Sequence, residues 1–530
     1  MKYPVGMQTL EQIIGQGYVY VDKTDMVYKL VSEGKIYSLS RPRRFGKSLL
    51  LSTLKNYFLG NKEVFKGLKI EALEKDWKTY PVFHLDFNGV DFLSASKLPA
   101  TLETFVARGE LRYGKDPLAQ TLGERFSCVL QKAHEQTGLP CVVLVDEYDK
   151  PLLDVMDLPD SVERNNVKVS LEDYNREILK SFYSTFKLAD SHLQFVFLTG
   201  VTKFSQLSVF SGFNQPNDIS MVPRYDTLCG ITDDEIEHYF HDRIGEIAEF
   251  NGVSYDKMRD MLRQRYDGYH FSMRMKGVYN PFSLLNVLTN ETLYDYWFKS
   301  GTPSYLVRLL QSCNENLDEM AGKSYSQSQF DDYRADSQQP LPMIYQSGYL
   351  TVKDYDPDVR TYLLDYPNDE VKEGFVTMIA NNYLSQKEDT GGIVRDLIIA
   401  LKKRDLEAFR VRFDSFLASI PYNVRRKANE RERERDFTYT LYLIFRIASC
   451  YVSYTEKLQS YGRLDCAIET RDSVFIFEFK MDKPVEEAMA QINEKGYADE
   501  FAASGKKIFK IGVAISSDKG RLSGWAVEEA

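Results

Sequence analysis

The chain has 530 residues, 43% of them hydrophobic and 27% charged, and its formal net charge is -10. This hydrophobic share excludes a largely disordered chain, and no apolar run approaches the roughly 20 residues that cross a bilayer. The six cysteines are scattered without a CxxC pair, which excludes a disulfide-rich secreted scaffold and predicts a reduced protein. Together with the lack of a long apolar run, this predicts a cytoplasmic protein with no membrane partner. At roughly 100–200 residues per domain, we expect about three domains.

The first 230 residues alternate short apolar runs with longer helical stretches. This alternation favours an α/β fold with a mostly parallel sheet and helices on both faces. The predicted strands are Lys35–Ser40, Val82–Phe87, Val142–Asp146 and Gln194–Thr199. Beyond Gly230 the pattern becomes helical, and Ile231–Ile247 opens with a Thr-x-x-Glu capping box, which predicts a helical lid.

The weakest signal for ordered structure is the polar segment Lys323–Gln339, which we predict to be a loop or linker. After it, Met343–Lys353 and Arg360–Tyr366 are predicted to form two strands joined by a turn, a pattern compatible with a winged helix. Helices are predicted for Val371–Phe416. The chain is predicted to divide into an α/β core over 1–230, a helical lid over 231–322, a connector over 323–418 and a separate α/β domain over 419–530.

A phosphate-binding loop is predicted between the first strand and an apolar helix. Gly46-Lys47-Ser48 matches the end of the GxxxxGK[ST] pattern, in which the glycine lets the backbone approach a phosphate and the helix amides point at the anion. Lys47 would meet the β- and γ-phosphates, and the Ser48 hydroxyl would bind magnesium. Arg41 replaces the first glycine of the pattern, so a solvated basic turn that caps a structural helix stays an alternative. The predicted nucleotide-binding residues of this loop are Arg44, Phe45, Gly46, Lys47, Ser48 and Leu49.

Two further strands are predicted to complete the nucleotide site. The apolar run that ends in Asp146-Glu147 brings two carboxylates to the carboxyl edge of the sheet, where Asp146 would hold magnesium and Glu147 would polarise the attacking water. Thr199, at the end of another strand, would sense the γ-phosphate. The alternatives are an acidic loop and an ordinary strand end. No arginine finger is identified, and Arg224 and Arg243 are only candidates.

A metal-dependent nuclease site is predicted near the C-terminus. A strand that carries Asp465, a polar turn and the strand Ser473–Lys480 would form a hairpin that places Asp465 beside Glu478. These two carboxylates would hold magnesium, and Lys480 would orient the attacking water. Strand alternation places three phenylalanines on one face of the second strand, with Glu478 and Lys480 on the other.

Two more residues are candidates for this site. The predicted helix Val485–Tyr497 can direct Gln491 to the same edge, and Glu434, just before a predicted helix over Phe437–Val452, could supply another metal ligand. For both, a solvated surface is the alternative. The basic segment Lys402–Arg435 holds 11 Lys or Arg against 6 Asp or Glu, and would contact the phosphates of a nucleic acid unless it is a solvated helix.

Seven stretches carry a family resemblance: Tyr18–Thr24, Arg41–Ser48, Leu144–Asp149, Leu198–Val201, Tyr279–Ser283, Gly462–Asp465 and Phe477–Lys480. Together they resemble a bacterial family that fuses an AAA-ATPase-like domain to a PD-(D/E)XK nuclease domain. The resemblance implies a P-loop ATPase core and a restriction-endonuclease-like C-terminal fold, with Asp465, Glu478 and Lys480 at the nuclease motif positions. Family members look to share Arg41, whereas Leu464 stands where the nuclease motif usually has proline.

The leading hypothesis is an ATP-binding and ATP-hydrolysing protein whose C-terminal domain cleaves nucleic acid, with DNA favoured over RNA, using magnesium. ATP would control the nuclease by rearranging the domains. Two alternatives stay open: an ATP-driven switch or scaffold whose nuclease-like domain only binds a partner, and a nuclease that binds ATP with negligible turnover. An oligomer is compatible with such a protein, because AAA-type sites often borrow an arginine from a neighbour.

Overall fold

The computed structural model divides the chain into two compact units. One unit comprises Met1–Val371 and the other comprises Lys372–Ala530. The four-part division made from the sequence stays a prediction. The structure describes residues 1–530 except 157, 165, 204–215, 301–304, 307, 310–319, 332–339, 385–389, 420–452, 455–457, 460–461, 464–465, 471 and 517.

The strands are numbered in chain order. Those of the first unit are β1 Ile36–Ser40, β2 Val82–Asp86, β3 Cys141–Asp146, β4 Ser161–Arg164, β5 Val167–Ser170, β6 Leu193–Gly200, β7 Asn217–Asp218, β8 Lys323–Ser326, β9 Thr351–Asp356 and β10 Thr361–Asp365. Those of the second unit are β11 Ser453–Tyr454, β12 Leu458–Gln459, β13 Gly462–Arg463, β14 Cys466–Glu469, β15 Ser473–Met481, β16 Lys507–Ser516 and β17 Arg521–Glu529.

The first unit is built on a five-stranded sheet in the order β2-β3-β6-β1-β7, and each neighbouring pair is parallel. Because β6 lies between β1 and β3, the carboxyl ends of these three strands meet at one edge. Leu39 of β1 pairs with Thr199 of β6, and Asp86 of β2 pairs with Asp146 of β3. All of β3 is buried, as expected for a parallel strand covered on both faces. The predicted α/β fold is confirmed.

Helices cover this sheet and connect its strands. In the described part of the chain before residue 230 they are Leu10–Gly15, Thr24–Glu33, Lys47–Phe58, Lys69–Leu73, Lys97–Tyr113, Leu122–Thr137, Lys150–Leu153, Leu171–Tyr183 and Thr185–Leu188. Helix Lys47–Phe58 packs against β2, β3 and β6, whereas Leu122–Thr137 packs against β3. Within the part of the chain that the structure describes, helices are too short or too polar to cross a membrane.

The segment predicted to be a lid is helical. Its helices are Asp233–Phe250, Tyr255–Tyr266, Pro281–Asn290 and the short Tyr296–Lys299. The predicted capping box is confirmed, since the Glu235 amide donates to Thr232 Oγ1 at 3.2 Å and the Thr232 amide donates to Glu235 Oε2 at 2.8 Å. Asn280 caps the third helix by accepting a bond of 2.9 Å from the Phe282 amide. Both helix starts are therefore set by the local sequence.

The polar segment predicted to be a loop contains a strand instead. β8 pairs with β10, with Ser326 opposite Thr361, in an antiparallel sheet of order β8-β10-β9. The prediction failed because a short polar strand has no apolar pattern of its own. The predicted strand Met343–Lys353 is also wrong at its start, where Leu341–Gln346 is a helix and β9 begins only at Thr351. Short apolar runs fit either structure equally well.

Lys203, which follows β6, connects the main sheet to residues more than 120 positions later in the chain. Its buried ammonium forms ion pairs with Asp218 at 2.8 Å and with Asp331, and its amide donates to Gln346 Oε1 at 2.7 Å. A buried ammonium needs such carboxylate partners to offset its desolvation. Asp331 and Gln346 are therefore joined to the main sheet of the first unit.

The second unit is a five-stranded sheet in the order β11-β14-β15-β16-β17. β14 and β15 form an antiparallel hairpin, β15 and β16 are parallel, and β17 closes the other edge. Among the described residues after 365, the helices are Asp369–Leu384, Thr390–Lys402, Leu406–Ser419 and Val485–Glu494. The first of them begins in the first unit and continues into the second.

The two faces of β15 are packed as its alternation predicts. On one face, Phe477 lies 5.4 Å from Phe409 of helix Leu406–Ser419, measured between ring centroids. On the other face, Val474 and Ile476 join a cluster with Ile492 of helix Val485–Glu494. The predicted C-terminal α/β domain is thereby confirmed, with β15 at the centre of its sheet.

Candidate functional site

The phosphate loop follows β1 and opens helix Lys47–Phe58. Two of its residues have left-handed backbones, Arg44 with φ +67° and Gly46 with φ +89°. These conformations turn the loop back over the start of the helix, where free amides and the helix dipole favour an anion. The Leu50 amide donates to the Gly46 carbonyl at 3.0 Å, so the helix is regular from its first turn.

Arg41, which replaces the first glycine of the pattern, anchors the loop. Its side chain is 1% exposed, and its guanidinium donates to the carbonyls of Ser220 at 2.7 Å and Tyr225 at 3.3 Å. The same group lies 4.0 Å from the ring centroid of Phe271. Arg41 therefore joins the loop to the residues after the edge strand β7, and its cation does not face the anion site.

Three other contacts hold the loop in place. The Phe45 ring is buried edge-on against Tyr269, with 4.8 Å between centroids. The Trp297 Nε1 donates to the carbonyl of Arg43 at 3.0 Å. Gly348 lies so close to Pro42 that an added Cβ would be 2.6 Å from the proline ring. These contacts join the loop to the lid and to Tyr269 and Gly348 of the first unit.

Lys47 lies inside the loop rather than in solvent. Its side chain is 4% exposed, and its ammonium donates to the carbonyls of Arg41 at 3.1 Å and Pro42 at 3.2 Å. It also lies 3.7 Å from the carboxylate of Glu147. The structure thus brings the predicted phosphate-binding cation beside the predicted catalytic carboxylate.

The ends of β3 and β6 form the other side of the site. Asp146 is 2% exposed, and its Oδ1 accepts hydrogen bonds from Thr199 Oγ1 at 2.7 Å and from the Glu147 amide at 3.0 Å. Glu147 has φ +53°, a conformation that is costly for a residue with a Cβ and is often found at functional sites. The three predicted residues of these strands therefore lie together.

Asp149 is a buried residue of the site that the sequence reasoning missed. Its Oδ2 accepts bonds from the amides of Val201 at 2.9 Å and Thr202 at 2.6 Å. A Cβ on Gly200 would lie 2.7 Å from the other oxygen, so only glycine fits beside this carboxyl. Burial, followed by the negative charge of Glu147, raises the pKa of Asp149 above its usual range. The sequence signal that could have indicated this residue is a second aspartate in the stretch Val145–Asp149.

The loop faces a cleft of about 290 Å³. Charged and polar residues line part of it, namely Arg43, Arg44, Lys47, Ser48, Asn88 and Glu147. An apolar pocket of about 110 Å³, lined by Val19, Val21, Leu228 and Phe240 among others, shares Gly46, Leu49, Pro281 and Leu285 with the cleft. A cationic cleft beside an apolar pocket suits a triphosphate joined to a flat base.

The two candidate arginine fingers lie elsewhere. Arg224 is exposed, forms an ion pair with Glu33 and stacks on Tyr225. Arg243 donates to the carbonyl of Leu288 at 2.9 Å and forms ion pairs with two glutamates of the lid. Neither arginine lines the cleft beside the phosphate loop.

Glu370 connects the lid to the phosphate loop. It is 1% exposed, and it accepts bonds from the Trp297 amide at 2.7 Å and from Ser283 Oγ at 2.8 Å. Trp297 in turn donates to the Arg43 carbonyl of the loop. Burial raises the pKa of Glu370 to about 7, although these two hydrogen bonds act in the opposite direction.

Replacement of Glu370 by glutamine is expected to change how stability depends on pH. Between about pH 4.5 and 7, folded wild type keeps a proton on Glu370 that the unfolded chain has released, so this group's contribution to stability falls as the pH rises. Relative to wild type, the free energy of unfolding of Glu370→Gln should therefore rise across that window, by roughly 3 kcal/mol at most. Denaturant titrations at several pH values measure this, and parallel pH profiles would contradict it.

The second candidate site lies at the end of β15. The carboxylate of Glu478 is 1% exposed and accepts a bond from Lys480 Nζ at 2.8 Å. Lys480 also donates to Gln491 Oε1 at 2.8 Å, and Gln491 Nε2 donates to Tyr497 at 3.3 Å. The structure thus brings three of the predicted nuclease residues together, with Gln491 supplied by helix Val485–Glu494.

The predicted metal ligands Asp465 and Glu434 lie outside the described residues, so their place beside Glu478 stays a prediction. Within the described ranges, no group of three metal-binding side chains comes together. The described strand β14 pairs Cys466 with Phe477, the residue before Glu478. The buried Glu478 carboxylate is an oxygen ligand of the kind that magnesium prefers, so this residue fits a magnesium site.

Comparisons with known proteins find a family match in each of the two units. Residues 4–210 match a family model described as a predicted AAA-ATPase, and residues 432–525 match the PD-(D/E)XK nuclease superfamily. A protein of Azotobacter chroococcum mcd 1, described as an uncharacterized protein in the vnfD 5′ region, is 33% identical over 536 aligned residues, which cover 99% of each chain. The chain therefore belongs to a family that joins an AAA-ATPase-like domain to a PD-(D/E)XK nuclease superfamily domain.

Proposed function

We propose that the protein binds and hydrolyses ATP and that its second unit is a magnesium-dependent nuclease, with DNA favoured over RNA as substrate. The observation that supports this proposal is the presence of one candidate site in each unit. In the first unit Lys47 lies beside Glu147, and in the second Lys480 contacts both Glu478 and Gln491. Each site combines a cation with a carboxylate, as phosphoryl chemistry requires.

In the nucleotide site, the loop amides and Lys47 would bind the β- and γ-phosphates. Ser48 and Asp146 would hold magnesium, which offsets negative charge on the phosphates when bound. Glu147 would accept the proton of the attacking water as its oxygen bonds to the γ-phosphorus. The bond to the β–γ bridging oxygen breaks and its electron pair leaves with ADP. Thr199, whose hydroxyl donates to Asp146, would report the loss of the γ-phosphate.

In the nuclease site, Glu478 would hold magnesium together with Asp465 and Glu434. The bound metal would supply positive charge to the scissile phosphate. Lys480 would orient the attacking water, whose oxygen bonds to phosphorus while the phosphodiester P–O bond to the leaving group breaks. Gln491 keeps the Lys480 ammonium in place through its 2.8 Å hydrogen bond.

A series of hydrogen bonds through which ATP would control the nuclease leads from the phosphate loop to Glu370. Glu370 is bonded to Trp297, which is bonded to the phosphate loop, and Glu370 lies in the first turn of helix Asp369–Leu384. That helix continues into the second unit. A rearrangement of the loop on binding ATP would therefore act on the helix that links the two units.

An assay of wild type and Lys47→Ala tests the proposal. Wild type should hydrolyse ATP and cleave DNA in the presence of magnesium, at a rate that ATP changes. Lys47→Ala should lose at least about 100-fold in ATP hydrolysis, because a phosphate-binding cation is removed, while it still cleaves without ATP. Lys55→Ala, on the same helix, is the matched control and should keep both activities.

The outcomes separate the parts of the proposal. Failure of wild type to cleave any single- or double-stranded DNA or RNA would contradict the nuclease and favour a domain that only binds a partner. Cleavage that still responds to ATP in Lys47→Ala would contradict the proposed control. An ATPase rate near zero in wild type would contradict only the proposed hydrolysis of ATP and would leave the nuclease assignment standing.

A further inference from the structure

Arg44 is an arginine of the phosphate loop that the mechanism above does not use. It is exposed and lines the cleft together with Lys47, Ser48 and Glu147. It precedes Lys47 by three residues, and its left-handed backbone, with φ +67°, is part of the turn that carries the loop over the helix start. A permanently charged side chain therefore lies within the proposed triphosphate site itself.

The Arg44 guanidinium is held by a ring rather than by a carboxylate. Its central carbon lies 4.9 Å from the ring centroid of Phe282, at the start of lid helix Pro281–Asn290. Among the described residues, Arg44 forms no ion pair or hydrogen bond, and this ring is its one specific contact. Stacking occupies the flat face of a guanidinium and leaves the N–H groups at its edge able to bond oxygen atoms.

Three arginines outside the cleft are bound in a different way. Arg41 donates to backbone carbonyls and is buried. Arg224 is paired with Glu33, and Arg243 with Glu246 and Glu291. Arg44 differs from these three arginines because it lines the cleft and its N–H groups bond no other described residue.

We propose that Arg44 is the arginine that stabilises the transferring γ-phosphoryl group, and that it acts within its own chain. This inference rests on the proposed hydrolysis of ATP. As the water oxygen bonds to the γ-phosphorus and the bond to ADP breaks, charge develops on the oxygens of the phosphoryl group and on the bridging oxygen. The N–H groups of Arg44 donate to these oxygens, and Phe282 positions the guanidinium for that contact.

This assignment makes each chain a complete ATPase. A finger from a neighbouring subunit requires an assembled oligomer, so the rate per chain then depends on protein concentration. A finger in the phosphate loop is present in every monomer. We therefore expect the rate of hydrolysis per chain to be independent of protein concentration.

Arg44→Gly in the full-length chain tests the role directly. Glycine adopts φ +67° without strain, so this variant removes the side chain and leaves the loop conformation intact. Removal of an arginine finger lowers kcat by roughly a thousand-fold or more, and we expect such a loss with KM and the affinity for ATP within a few-fold of wild type. Arg44→Lys should recover only part of the rate, because lysine lacks the planar fork.

Arg224→Gly is the matched control, because it removes another exposed arginine that stacks on an aromatic ring, away from the cleft. Its kcat should stay near that of wild type. An Arg44→Gly variant with unchanged kcat and a raised KM would overturn the inference, since Arg44 would then only bind substrate. An inactive wild type would overturn the proposed hydrolysis and this inference with it, whereas an active wild type with an unaffected Arg44→Gly overturns this inference alone.

A mixing experiment tests whether the arginine acts within one chain. Arg44→Gly and Lys47→Ala are combined in equal amounts. If Arg44 acted on a neighbour's site, mixed assemblies would contain sites with an intact lysine and a donated arginine, and hydrolysis would return. We expect no recovery at any protein concentration, and recovery would overturn the proposal.

Discussion

Replacement of Glu478 by glutamine is expected to abolish nucleic-acid cleavage while ATP hydrolysis stays at the wild-type rate. Glutamine has the shape of glutamate and can still accept the 2.8 Å bond from Lys480, so β15 keeps its packing. The substitution removes the negative charge that would hold the metal. Metal-assisted stabilisation is worth several kcal/mol, so we expect a loss of at least about a thousand-fold in the cleavage rate.

The neighbouring strand of the same hairpin offers a matched control. Glu469 of β14 forms an ion pair with Lys506 at 2.8 Å, in the same sheet as the Glu478–Lys480 pair. Glu469→Gln should cleave at a rate close to that of wild type. Both variants are compared with wild type in cleavage and ATPase assays on the same preparations. Equal cleavage by Glu478→Gln and Glu469→Gln would contradict the assignment of the nuclease site to the end of β15.

Arg41→Gly, which restores the usual glycine of the phosphate-loop pattern, is expected to destabilise the first unit and weaken ATP binding. The change leaves the carbonyls of Ser220 and Tyr225 without their buried donor and opens a cavity of the size of the arginine side chain. Unsatisfied buried carbonyls cost about 1–3 kcal/mol each, and the cavity adds to this. We expect a total loss of about 3 kcal/mol or more.

Arg44→Gly, three residues later in the same loop, is the control for Arg41→Gly. Arg44→Gly removes the same atoms from an exposed side chain whose backbone already favours glycine, so the free energy of unfolding should change little. Denaturant titration of both variants, with and without ATP, measures the difference. An Arg41→Gly variant that is as stable as Arg44→Gly and binds ATP like wild type would contradict the anchoring role.

The parts of the fold that could be predicted are those encoded by neighbouring residues. The strand that ends in Asp146-Glu147 is a continuous apolar run, and the lid helix after Thr232 starts with a complete capping box. Gly46, Lys47 and Ser48 of the phosphate loop are consecutive in the sequence. Gln491 could be placed near Lys480 because a short connection between a strand and a helix leaves few possible arrangements.

Other features depend on residues far apart in the chain. Arg41 meets Ser220 and Tyr225 about 180 positions later, and no local pattern indicates that pairing. The strand β8 exists because β10 lies beside it, so its own polar sequence suggested only a loop. Asp149 was overlooked because an aspartate after a strand is usually solvated, whereas here it is buried by the end of β6.

The ion pair between Lys203 and Asp331 bears on how such two-part proteins can diversify. A recombination that joined a foreign C-terminal half before residue 323 would leave a buried ammonium without Asp331 and an amide without Gln346, and the new protein would fold poorly. A breakpoint after Val371 keeps both contacts. A chimera joined after Val371 is therefore expected to be more stable than one joined before residue 323.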